Sequence, residues 1–142
     1  MINFTPTTYA DRVQILQWIT LDPYHTQDAS EESVDLFLTD RDNLLSCAVK
    51  DEEGIVFYLQ LRQEGELVRI GTQFGPEDQV SKKRVVEAIK DALVSTKVLV
   101  QSAGAEGFVY ESTSHSLIKF MSSFGFVPHK GNDYLWVFGK GE

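Results

Sequence analysis

Cysteine is the scarcest chemistry in this 142-residue chain, with Cys47 the single example. One thiol closes no intrachain disulfide. Its setting, the apolar run Leu44-Leu45-Ser46-Cys47-Ala48-Val49, reads as a buried, inert thiol, and a cytoplasmic protein is the expectation that follows. Long apolar runs are also missing. None approaches the roughly 20 residues that a membrane-spanning helix needs, and residues 1–6 lack the basic flank and apolar stretch of a secretory signal, so no membrane association is expected. Positive charge is the third shortage: 13 Lys and Arg stand against 21 Asp and Glu, a net charge of −8. That excludes a general nucleic-acid binder, because phosphate contacts need clustered cations. It suits a cationic acceptor such as an amine, and it equally suits mere solubility. There is no Cys/His spacing for zinc, hence no metal site, and no phosphate-binding Walker loop, nucleophile elbow or dinucleotide fingerprint.

What is present is core. Hydrophobic residues make up 42% and aromatics 11%, enough for one domain over residues 1–142 with a single interior. There is no repeat, low-complexity tract or linker. Residues 2–5 form a short strand. Thr8 with Asp11 three residues later resembles a capping box, and Val13, Leu16 and Ile19, with Ile15 and Trp18 alongside, follow at helical spacing. Asp22-Pro23 stops this helix, residues 24–29 are a loop, and Ser30 opens a second helix with Val34, Phe37 and Leu38 on one face. Strands over 44–50, 55–62 and 67–74 follow, joined by Asp51-Glu52-Glu53-Gly54 and Glu64-Gly65, which is an antiparallel meander. Gly71 inside the third strand hints at a bulge or a close approach. A long helix over 79–103 carries Val85, Val86, Ile89, Ala92 and Leu93 on one face, with Gly104 as its C-cap. A strand over 107–112, a helix over 114–124 and two strands over 126–129 and 133–138 complete the order β-α-α-β-β-β-α-β-α-β-β. Strand, helix, strand implies one parallel crossover in an otherwise antiparallel sheet.

The stretch Ser114-His115-Ser116-Leu117-Ile118-Lys119-Phe120-Met121-Ser122-Ser123-Phe124-Gly125-Phe126-Val127-Pro128 is the most informative. It reads as a capped helix, a glycine stop and an immediate strand. It resembles the C-terminal half of the GNAT acetyltransferase superfamily, where a helix closing in "aromatic-x-x-x-aromatic-Gly-Phe" leads into the last strands, and the element order matches that family over essentially the whole chain. The fold implied is α/β (α+β): a mixed, mostly antiparallel twisted sheet with flanking helices. The function implied is transfer of an acetyl group from acetyl-CoA to an amine.

The resemblance also implies a site. Acetyl-CoA would lie in a V-shaped gap between strands 67–74 and 107–112, held along its arm by Thr72, Gln73 and Phe74. Its diphosphate would meet the start of the long helix, over Gln79, Val80, Ser81, Lys82, Lys83 and Arg84, where a helix N-terminus offers unpaired donors and a positive dipole end. The family writes this loop Gln/Arg-x-x-Gly-x-Gly/Ala; here the two small positions hold Lys82 and Arg84. A bound polyanion would relieve three adjacent cations at that end of a helix, and a solvated basic patch accounts for them too. The family's proton-donating tyrosine falls on Met121, which has no proton to give; Ser122 is the hydroxyl beside it. The family's asparagine falls on Ser114, a helix cap or a ligand contact. Glu111, late on the strand flanking the gap, is the first candidate for the base that deprotonates the amine, and Tyr110 alternates with it. His25, His115 and His129 are weaker candidates. The acceptor, a small-molecule or protein amine, would be chosen by residues 20–30 and the Gly131 region. Two alternatives stand beside the enzyme: a catalytically inactive GNAT-like binding or assembly module, and a homodimer joined through the hairpin 126–138, whose Tyr134, Trp136 and Phe138 share a face.

Overall fold

Thr8 sets the first helix in motion. Its backbone N–H donates to Asp11 Oδ2 at 2.8 Å, closing the capping box that turns Tyr9–Asp11, a single 3-10 turn, into α1 (Arg12–Leu21). Residues 2–23 and 30–138 are described by the computed structural model; the loop 24–29, with His25, lies outside them. In α1 the buried residues are Ile15, Trp18 and Ile19, while Val13 is 66% exposed. Of the five apolar residues at helical spacing, Ile15, Trp18 and Ile19 form the buried stripe, with Trp18 edge-on to Tyr58 at 5.3 Å. α2 (Glu31–Thr39) starts where Ser30 Oγ accepts from the Ser33 N–H at 3.1 Å, and it buries Val34.

The sheet has seven strands in the order β1-β2-β3-β4-β5-β7-β6. β1 (Asn3–Pro6), β2 (Asn43–Asp51), β3 (Gly54–Glu64) and β4 (Leu67–Phe74) pair antiparallel in sequence order. β5 (Gly107–Glu111) joins β4 in parallel, and β7 (Asp133–Val137) lies antiparallel between β5 and β6 (Val127–Pro128). The mixed, mostly antiparallel sheet and the one crossover are as the sequence predicts. Gly71 is not a bulge: β3 and β4 keep unbroken register past it, from Phe57 opposite Phe74 to Glu64 opposite Leu67. The absent side chain instead leaves room for Gln60, whose Oε1 would lie 3.0 Å from an added Cβ. The register breaks are in the β2–β3 pair, around Asn43 and Val49.

Alternation along the strands assigns the faces. Tyr58 and Gln73 sit directly opposite each other and both reach α1: the Gln14 side-chain amide donates to Tyr58 Oη at 3.0 Å, and Gln73 Nε2 donates to Asp22 Oδ2 at 3.2 Å. The other face, with Val68, Phe108 and Trp136 in register, is covered by α3 (Lys82–Ser102), whose Lys97 ammonium lies 4.9 Å from the Trp136 ring. α3 begins at Lys82 rather than Gln79, because the N–H groups of Gln79 and Val80 both bond to Pro76 O in a turn and Ser81 supplies the cap. After α4 (His115–Ser122), Phe126 returns to this face, edge-on to Tyr110 and Trp136. Gly107 is obligatory here, since a Cβ would collide with the Trp136 carbonyl. Tyr134, Trp136 and Phe138 pack on the protein's own core, with ring contacts to Tyr110, Phe108 and Phe126. Cys47 is fully buried, and burial pushes its thiol up to about 12.

Candidate functional site

β4 and β5 stay paired for only three residues. Leu67, Val68 and Arg69 face Gly107, Phe108 and Val109, and beyond that point no pairing joins the two strands. Past Arg69 the β5-facing edge of β4 has no strand beside it. The opening is a cleft of about 870 Å³. Ile70, Thr72 and Phe74 of β4 form one wall, and Tyr110 and Glu111 of β5 begin the other. α3 contributes Val85, Val86 and Ile89, α4 contributes Leu117 and Met121, and Trp18 and Asp22 close the α1 side. Such a mostly apolar concavity with a few polar groups is where small ligands bind.

A salt-bridge clamp sits where the strands part. From the last paired position of β4, Arg69 reaches over β5 to Asp133 of β7, with Nη1 and Nη2 each 3.0 Å from a carboxylate oxygen. Its Nε and Nη2 also hold Glu64, at 2.7 and 3.0 Å. This guanidinium holds both carboxyls below their ordinary range through hydrogen bonds, and the two acids in turn raise Arg69. The clamp ties β3, β4 and β7 at the base of the V, spanning β5, while leaving the strands above it apart.

The mouth of the cleft meets the start of α3. Glu77, Val80 and Lys82 line it; Val80 is buried and Lys82 is exposed. The first N–H groups of a helix have no carbonyl inside it. Here the Arg84 N–H is taken by Ser81 Oγ at 3.3 Å, leaving those of Lys82 and Lys83 without an intrahelical acceptor. The predicted loop residues divide. Arg84 turns away: its Nε and Nη2 each lie 2.8 Å from an Asp51 carboxylate oxygen, so it fastens α3 to the β2–β3 turn. Gln79, Ser81 and Lys83 are exposed and do not line the cleft. The missing glycines impose no backbone strain, because no non-glycine residue among those described has positive φ.

Among the catalytic candidates, Glu111 is exposed at the end of β5 and lines the cleft. Met121 lines it too, at 5% exposure. Ser122 does not: its Oγ donates to the Lys119 carbonyl at 2.7 Å, on the exposed side of α4. Ser123 is used the same way, on Phe120 at 2.6 Å. Ser114 lines the cleft and also caps α4, accepting from the Leu117 N–H at 3.4 Å. Gln73 is buried with its side-chain amide on Asp22 Oδ2 and does not line the cleft. His115 and His129 are exposed and do not line the cleft. Two features were not foreseen. The clamp joins residues far apart in sequence, and the Tyr110 hydroxyl is buried without a hydrogen-bond partner. Among the described residues no three His, Cys, Asp or Glu side chains gather as metal ligands, and no helix is long and apolar enough to cross a membrane.

No protein-family model matches the sequence, and no curated protein matches it. Solved structures do match. A GNAT family acetyltransferase from Brucella melitensis, in complex with acetyl-CoA, is 17% identical over 98% of this chain and 89% of its own, with a TM-score of 0.65. The paia N-acetyltransferase from Thermoplasma acidophilum, in complex with coenzyme A, is 12% identical over 97% and 99%, at 0.67. The ribosomal-protein-S18-alanine N-acetyltransferase from Escherichia coli is 12% identical over 100% and 99%, at 0.64. At these identities the likeness is one of fold: the chain folds as these GNAT acetyltransferases do over 97% or more of its length.

Proposed function

We propose that this chain is an N-acetyltransferase that moves an acetyl group from acetyl-CoA to an amine. The observation that carries this reading is the cleft itself, an opening between two parallel strands that leads to the first turn of α3. The residues present fit such a ligand. A mostly apolar channel with an unpaired strand edge at residues 70–74 suits a pantetheine arm, which is held as an added strand would be. The amides of Lys82 and Lys83 suit a diphosphate at the mouth, with the Lys82 ammonium beside them. Arg84, being engaged with Asp51, acts on the loop's shape rather than on the ligand. The solved structures with acetyl-CoA or coenzyme A bound support the same reading.

Acetyl-CoA supplies the activated thioester; the chain orients it and handles protons. Glu111 stands at the cleft's β5 wall, where it takes the proton of the attacking amine directly or through one water. The acceptor amine enters from the α1 side, past Trp18 and Asp22. Met121 and the outward Ser122 favour a second reading, a GNAT-like binding or assembly module without catalysis. The test has two arms. Acetyl-CoA at a hundred times its dissociation constant stabilises the fold by about 2.7 kcal/mol, read as a raised melting temperature. Thiol release with a panel of amines then separates the readings: binding with turnover supports the enzyme, binding without turnover the module, and no binding at millimolar ligand removes the enzyme.

A further inference from the structure

Tyr110 is the first residue of β5 beyond the last β4–β5 pair, which joins Arg69 to Val109. It therefore stands in the fork of the V. Its ring stacks on Tyr134 at 5.4 Å and meets Phe126 edge-on at 4.9 Å, and the residue is 4% exposed. It lines the cleft, and its hydroxyl is buried with no hydrogen-bond partner among the described residues. A phenylalanine would keep both ring contacts without stranding a polar atom. Buried hydroxyls without partners are rare in folded proteins, and each costs free energy. A position that retains one at the end of a ligand channel is accounted for by a partner that comes with the ligand.

We propose that the Tyr110 hydroxyl is a binding donor for the thioester end of an acyl-thioester ligand. This rests on the acyl-CoA reading above. From Phe74, near the start of α3, down β4 to Ile70 is four residues, about 13 Å of strand. A ligand anchored by its phosphates at the mouth thus brings the far end of its extended arm to the fork. Of the other side-chain hydroxyls that line the cleft, Thr96 Oγ1 donates to the Ala92 carbonyl at 2.6 Å, Ser112, Ser114 and Ser116 are hydrogen-bonded at the start of α4 with exposed Thr113 among them, and Thr72 stands on β4 two residues above Ile70. Desolvation pushes the Tyr110 phenol up to about 12, so it remains a protonated donor across the physiological range. Met121 supplies no donor, and Tyr110 fills that lack from the strand rather than from the helix.

The test is Tyr110→Phe, with two ligands and one measurement made without any. Adenosine 3′,5′-bisphosphate carries phosphates but no arm; acetyl-CoA carries both. Calorimetry is expected to show acetyl-CoA binding weakened about threefold to tenfold in Tyr110→Phe, the worth of one hydrogen bond, with bisphosphate affinity unchanged. The melting temperature of the free variant is expected to rise, by roughly 2–5 °C, because an unpaired buried hydroxyl has been removed. Equal acetyl-CoA affinity in both proteins overturns the proposal and leaves the acyl-CoA reading standing. A lowered melting temperature overturns it as well, because the hydroxyl then had a partner in the free fold. A wild-type protein that takes up neither ligand overturns both readings.

Discussion

Arg69→Met is the perturbation that reports most directly on how the cleft is held open. The substitution keeps an unbranched stem on β4 and removes the guanidinium. Lost are four contacts of 2.7 to 3.0 Å to Glu64 and Asp133. The Glu64 side chain is 42% exposed, so its share is that of a surface pair, about 0.5 kcal/mol. Asp133 is 20% exposed and held by two parallel bonds, which makes its share about 1.5 kcal/mol. The sum is about 2 kcal/mol, or roughly 6–8 °C in melting temperature for a domain of this size. The pH dependence follows from the direction of the shifts. Arg69 holds both carboxyls below their ordinary values, so the unfolded chain binds more protons on acidification. The stabilisation is complete above the unfolded values, about pH 4–4.5, and is lost as pH falls through the lower folded ones. Scanning calorimetry from pH 7 to pH 3 is the assay. The gap between wild type and Arg69→Met is expected to be full at pH 7 and to close toward pH 3. Melting temperatures within 1 °C of each other at pH 7, or a gap that persists undiminished at pH 3, would refute the clamp.

Lys82 and Arg84 of α3 are expected to behave as opposites. Lys82→Ala weakens acetyl-CoA binding about twofold to fivefold with little change in stability, whereas Arg84→Ala lowers stability by about 1–2 kcal/mol through Asp51, with a smaller effect on affinity. Paired thermal and calorimetric titrations read both, and the reverse pattern would contradict the assignment. Glu111→Gln is expected to lower kcat for amine acetylation about a hundredfold or more while leaving acetyl-CoA affinity unchanged; an unaltered kcat removes Glu111 as the base.

The legible parts of this chain were those written locally. Helix caps at Thr8, Ser30 and Ser114, turn residues at 51–54 and 64–65, and period-two runs each announce themselves within a few positions, and together they carried the element order. The start of α3 was misjudged by three residues because Pro76 accepts two turn N–H groups before Ser81 caps the helix. Which of α1's apolar residues are buried is not written locally: Trp18 finds Tyr58, forty positions away. Of the candidate site, the cleft lining was legible only where it follows the backbone, as at Glu111 and the α3 N-terminus. Arg84 reads like a ligand cation from its neighbours, and only the fold reveals Asp51 beside it. Arg69 and Asp133 meet across three strands, and nothing near either residue announces the other. Tyr110 looks like any core aromatic until its hydroxyl is found without a partner.

The central claim is that an acyl-CoA enters between β4 and β5 from the first turn of α3. Backbone amide resonances followed during an acetyl-CoA titration test it residue by residue. The account predicts shifts at Lys82 and Lys83, along residues 70–74, and at Tyr110, with β1 and the outer half of β2 unmoved. Silence throughout, or shifts confined to the outer surfaces of α1 and α2, would contradict it.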